Sequence, residues 1–144
     1  MTQERLEQLL RAVEGVSDIL ILPHNDPDPD AIASAVALRY LLFEKLGMQS
    51  RIAYRGIIGR AENKALVRYL DHPLQRLTGA DLQQASAIAL VDTQPSSGNN
   101  PLSTAASTAI VLDHHPWREA TANAIFADVR PEAGSTSTIV NEYL

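Results

Sequence analysis

Short aliphatic runs recur along the chain, separated by stretches with helical spacing, and this alternation restricts the fold more than any other feature. The first run, DILILP (18–23), is β-branched and aliphatic and reads as a strand. QSRIAYRG (49–56), ASAIALVDT (85–93), TAIVLDHH (108–115) and NAIFADV (123–129) each hold a further one. Helical spacing covers about 3–14, 30–46, AENKALVRYL (61–70) and a short segment near 79–84, and a last helix starts in STSTIVNEYL (135–144). The 30–46 segment is apolar on nearly all sides (Ile32, Val36, Leu38, Leu41, Leu42, Leu46), which predicts a deeply packed helix stopped by Gly47. Strands alternating with helices imply an α/β fold with a Rossmann-like, mostly parallel sheet flanked by helices. At 144 residues, one domain is expected. The final helical pattern reaches Leu144 with no glycine, proline or polar tail to end it, so a cut inside a larger domain is expected.

In a parallel sheet the loops leaving the C-terminal strand ends share one edge, where ligands bind. Here those loops are 24–30, 56–60, 92–98 and 113–117, and they gather His24, Asp26, Asp28, Asp30, Asp92, Asp113, His114 and His115. The alternate spacing of Asp26, Asp28 and Asp30 resembles the start of a calcium-binding EF-hand loop. That loop needs glycine sixth and glutamate twelfth, where this chain has Ala31 and Ala37, and a helix ahead of it rather than a strand. Carboxylates and imidazoles without sulfur suit manganese, magnesium, iron or zinc. Five or more such groups suggest two ions sharing a carboxylate at roughly 3.5–4 Å, the arrangement that hydrolyses phosphate esters. The helix beginning near Asp30 adds its N-terminal dipole, which favours ionised carboxylates and anionic ligands.

Charge bears on the partner. The formal net charge of −5 argues against a large basic nucleic-acid face. Setting aside Asp26, Asp28, Asp30, Asp92 and Asp113 from the 17 acidic residues leaves as many acids as the 12 bases, so an anionic substrate stays compatible with the chain. The absence of cysteine excludes disulfides, thiolate zinc sites and cysteine nucleophiles. No apolar run approaches the ~18 residues of a membrane span, and MTQERLEQLLRAVEG carries acids and no cleavage signal, so a cytoplasmic protein is expected.

HNDPDPDAIASA, IALVDT and IVLDHHP, in that order and each at the end of an expected strand, resemble the DHH phosphoesterase superfamily. Its members include RecJ-type exonucleases, nanoRNases, cyclic dinucleotide phosphodiesterases and family II inorganic pyrophosphatases. GSTSTIVNEYL is similar to the Thr-rich segment of nanoRNase-like members. The resemblance implies a manganese-dependent hydrolase with two ions, magnesium or cobalt being able to substitute. It implies His24 and Asp28 on the first ion, Asp30 and His114 on the second, and Asp92 bridging both. His115 would contact the scissile phosphate or its leaving oxygen, with Asp113 orienting the cluster. Asp26 stands where the family usually has asparagine and is left out of the ligands.

The implied substrates are short RNA or DNA oligonucleotides or small nucleotides. A pyrophosphatase-like hydrolase and a metal- or nucleotide-binding regulatory module without catalysis are the alternatives, and a homodimer stays open. The family also supplies a further metal-binding aspartate and a C-terminal DHHA1-type substrate domain, neither of which this chain holds. Asp128, in FADVRPEAG, fits a connecting segment better than the further motif. Arg55, Arg60 and Asn63 lie near the same edge and suit either a phosphate grip or the solvated surface. Trp117, directly after the histidines, is expected to cover the core beside the site, with base stacking as the alternative.

Overall fold

The computed structural model describes residues 3–103 and 107–144. Its six strands are β1 (Ile19–Pro23), β2 (Ser50–Tyr54), β3 (Leu74–Arg76), β4 (Ala87–Val91), β5 (Ile110–Asp113) and β6 (Phe126–Val129). They form one sheet in the order β3-β2-β1-β4-β5-β6, and every neighbouring pair is parallel. This is the order of a doubly wound dinucleotide-binding sheet, in which the chain reverses its direction of travel between β1 and β4. The helices are α1 (Gln3–Arg11), α2 (Pro29–Leu46), α3 (Ala61–Tyr69), α4 (Gly79–Gln84) and α5 (Thr136–Asn141), with a 3-10 turn over Glu119–Asn123.

Every residue of β1 is buried because both sheet faces are covered. Ile19 and Ile21 join Leu9, Val13, Leu38, Leu41, Ile139 and Val140 in the larger core. Leu20 and Leu22 join Ala53, Leu90 and Val111 in a smaller one on the other face. Each fully buried leucine or isoleucine contributes about 1.5–3 kcal/mol relative to exposure.

The long helix α2 is framed as its sequence requires. Asp28 caps it by accepting the Ala31 N–H at 2.9 Å, and Pro29 occupies the first turn, where its missing N–H costs nothing. Gly47, at φ 63°, closes it with N–H to the Phe43 carbonyl at 2.8 Å.

Several expectations are corrected. The helix α2 is buried on one side only: Ile32, Leu38, Leu41 and Leu42 are in the core, but Tyr40, Phe43 and Leu46 are exposed. Strand β3 and the 3-10 turn add to the expected elements; Leu-Gln-Arg is too short and too polar to show an alternating pattern. The helix α1 stops at Arg11, short of 14, and α5 ends at Asn141, with Glu142 as its C-cap. Among the described residues no helix is long and apolar enough to cross a membrane.

Candidate metal centre

Strand register assembles the centre. β1 and β4 stay paired up to Pro23 and Val91, so the residues that follow, His24 and Asp92, leave neighbouring strands side by side at the topological switch. β4 and β5 pair through Val91 and Leu112, which brings Asp113, His114 and His115 to the same edge. Asp92 turns there at φ 60°, a left-handed conformation that aspartate tolerates better than most residues, and its N–H donates to the Leu112 carbonyl at 2.9 Å.

Asp92 is 2% exposed, and its two oxygens face different histidines. Oδ2 lies 3.3 Å from His24 Nε2, and Oδ1 lies 3.4 Å from His114 Nε2. Asp28 Oδ2 approaches His24 Nε2 at 3.6 Å, and Asp30 Oδ2 approaches His114 Nε2 at 3.7 Å. Among the described residues two groups could each hold an ion, His24–Asp28–Asp92 and Asp92–His114–His115, the ligand atoms of each lying within 4.8 Å of one another; Asp92 belongs to both. Asp30 stays outside the second group. Its oxygens accept the N–H groups of Ser137 at 2.8 Å and Thr136 at 3.0 Å, tying α2 to α5.

The donors fit hard divalent ions. All are oxygen or nitrogen, and among the described residues the ion pairs of Asp28, Asp30 and Asp92 are with histidines, not with lysine or arginine. Asp92 is the buried member, Asp30 is half-buried and Asp28 is exposed. The unfavourable desolvation of a charge without a permanent cation therefore falls on Asp92, and an ion joining it would offset that cost. The His24 ring donates from Nδ1 to the Asn25 carbonyl at 2.7 Å, which turns Nε2 toward the carboxylates. Asp92 raises the His24 pKa to about 9 against the pull of burial, helped by the Asn25 carbonyl and Asp28. A cation taking that nitrogen would displace its proton. Burial pushes the Asp30 carboxyl up, but the Ser137 and Thr136 N–H groups outweigh it and hold Asp30 below the usual carboxylate range.

Around this cluster lie residues whose roles the sequence did not announce. Thr136, fully buried, donates its hydroxyl to Asp92 Oδ1 at 2.8 Å. Its only signal was the Thr-rich segment after a serine N-cap. Gln94 is 1% exposed; its Nε2 donates to Asp113 Oδ2 at 2.7 Å and to the Pro116 carbonyl at 3.0 Å. Its Oε1 accepts from the Arg118 N–H and the Thr121 hydroxyl, each at 2.8 Å. Nothing in a polar loop marks one glutamine as a buried hub. Asp113 accepts from His115 Nδ1 at 2.7 Å, leaving Nε2 as the ring nitrogen open to a ligand.

The remaining candidates separate. Asp26 turns away from the cluster: it sits at φ 54°, donates its N–H to the Arg55 carbonyl at 2.9 Å, and accepts the Ile57 N–H at 2.7 Å. Gly56, at φ 94°, gives it room, because a Cβ there would collide with the Asp26 carboxylate. Arg60 and Asn63 line a cavity of about 460 Å³ that shares His24 and Asp28 with the centre. Asp128 lies outside the centre, gripped by Arg130 through two 2.9 Å bonds and by the Tyr143 hydroxyl at 2.5 Å. Trp117 is 52% exposed, so it does not cover the core as expected.

Residues 18–144 match the DHH family, N-terminal domain. An uncharacterized protein of Methanocaldococcus jannaschii is 43% identical over 131 residues, which are 91% of this chain and 26% of that protein. A solved exopolyphosphatase-related protein of Bacteroides fragilis shares the fold, with a TM-score of 0.62 at 18% identity over 99% of this chain and 43% of that one. The chain thus spans about a quarter of the first relative's length and under half of the second's. With its three motifs gathered on one sheet edge and its match running through them, the chain belongs to the DHH phosphoesterase family.

Proposed function

We propose that the chain is the metal-holding part of a manganese-dependent phosphoesterase that cleaves short RNA or DNA oligonucleotides or small nucleotides in the cytoplasm. The observation that carries this reading is Asp92, a buried carboxylate with each oxygen turned to a different histidine and a place in both candidate ligand groups. His24 and Asp28 would hold one ion, Asp30 and His114 the other, with Asp92 between them. Two divalent ions supply a water acidified enough to attack phosphorus at neutral pH and neutralise the phosphoryl oxygens. The Thr136 hydroxyl holds the Asp92 carboxylate with its oxygens turned to His24 and His114, the orientation in which it would hold ions on both sides. Asp113 fixes the His115 ring, whose Nε2, when protonated, would donate to a phosphoryl or leaving oxygen. Arg60 is suited to a neighbouring phosphate. In this reading the chain is the N-terminal part of a longer enzyme whose DHHA1-type domain closes over the substrate, as the greater length of both relatives supports.

The test is hydrolysis of a short RNA by the full-length protein. Turnover with manganese, its loss on chelation and its recovery on manganese addition are expected. Faster turnover of inorganic pyrophosphate than of a dinucleotide would replace this reading with the pyrophosphatase one. Metal binding without turnover of either would favour the regulatory module.

A further inference from the structure

We propose that the cavity beyond His115 is a stacking subsite for one nucleobase of the substrate, with the Trp117 ring as its platform; this rests on the phosphoesterase reading above and narrows its substrate. The cavity has a volume of about 580 Å³ and is lined by Gln94, Ser97, Asn99, His115, Trp117 and Arg118, among others. It shares His115 and Asn99 with the 340 Å³ cavity that holds His24, Asp28, Asp30, Asp92 and His114. A ligand with its phosphorus over Asp92 therefore has direct room to extend past His115. Inorganic pyrophosphate would leave that room unused.

Trp117 gives the space its chemistry. It is the chain's single tryptophan and is 52% exposed, although a tryptophan of this kind would gain by burial. Its backbone is clamped from both sides by one buried side chain. Gln94 donates to the carbonyl of Pro116, the residue before, at 3.0 Å, and accepts the N–H of Arg118, the residue after, at 2.8 Å. Gln94 is itself anchored to Asp113, which also holds His115, so one network fixes both the backbone that carries Trp117 and the His115 ring. A large aromatic ring carried on a pinned backbone loses little entropy on binding. Every nucleobase has a face that can stack on it, so the subsite is sequence-tolerant. Ser97 and Asn99 add polar groups along the wall, suited to a sugar.

Tryptophan fluorescence and calorimetry with two ligands, adenosine 5′-monophosphate and ribose 5-phosphate, test the subsite in manganese-loaded protein. The nucleotide should quench Trp117 saturably and the base-free sugar phosphate should not. Trp117→Ala should cut the affinity advantage of the nucleotide over the sugar phosphate by about 5- to 150-fold, the worth of one base–aromatic stack. Trp117→Phe should restore most of it, which a merely structural role would not do. Equal affinity for the two ligands, or an advantage that survives Trp117→Ala, would overturn the subsite. If phosphodiester hydrolysis persists in that case, the subsite alone has failed. Quenching by the nucleotide in a protein that hydrolyses nothing would instead fault the phosphoesterase reading.

Discussion

At the scale of single residues, the aspartates of HNDPDPD divide by the direction each side chain takes. Asp28 points to His24 while capping α2, Asp30 points to α5 and His114, and Asp26 turns back to pin the 55–57 loop. That division is invisible in the spacing, because alternate residues in a turn share no fixed face once one adopts a left-handed conformation. Gly56→Ala tests the Asp26 assignment. A side chain at φ 94° that also meets the carboxylate should cost about 1–3 kcal/mol, read as a lower urea midpoint; unchanged stability would count against it. Thr136→Val removes only the hydroxyl held on Asp92. Manganese affinity, measured by calorimetry, should fall about 10- to 100-fold with the fold intact by circular dichroism.

At the scale of elements, register and docking build what composition cannot announce. Five of the six strands and the edge they share were legible because aliphatic runs and turn residues mark them locally, whereas the short, polar β3 carries no such mark. The pairing of Pro23 with Val91, which puts His24 beside Asp92, depends on contacts far apart in sequence, as does the grip of α5 on Asp30 and Asp92. The last turn of the chain is fastened separately, by Tyr143 and Glu142 to the Asp128–Arg130 pair. Burial pushes the Asp128 carboxyl up, but Arg130 and the Tyr143 hydroxyl outweigh it, so its folded pKa lies below the ordinary 3.8. A depressed folded pKa contributes stability that is present above the unfolded value and lost as pH falls through the folded one. Tyr143→Phe should therefore cost about 1.5–3 kcal/mol near neutrality, since the bond goes to a charged group. Its stability deficit should narrow as pH falls below the ordinary carboxylate value and through the lowered folded pKa of Asp128. A deficit independent of pH would mean that Tyr143 acts through packing alone.

At the scale of the whole molecule, the doubly wound order puts the switch between β1 and β4, and the two strand ends flanking it carry His24 and Asp92. The fold thus presents one edge with a carboxylate and imidazole cluster at its middle, an Arg60 cavity on one side and the Trp117 cavity on the other. For the proposed substrate, that layout would leave room on both sides of a central phosphate. In the proposed reading Asp92 joins two ions for phosphoester hydrolysis, and Asp92→Ala in the full-length, manganese-supplied protein is the decisive substitution. Turnover of a short RNA should fall below detection, and the number of tightly bound manganese ions should drop together with it. Hydrolysis that survives the substitution would contradict the two-ion mechanism.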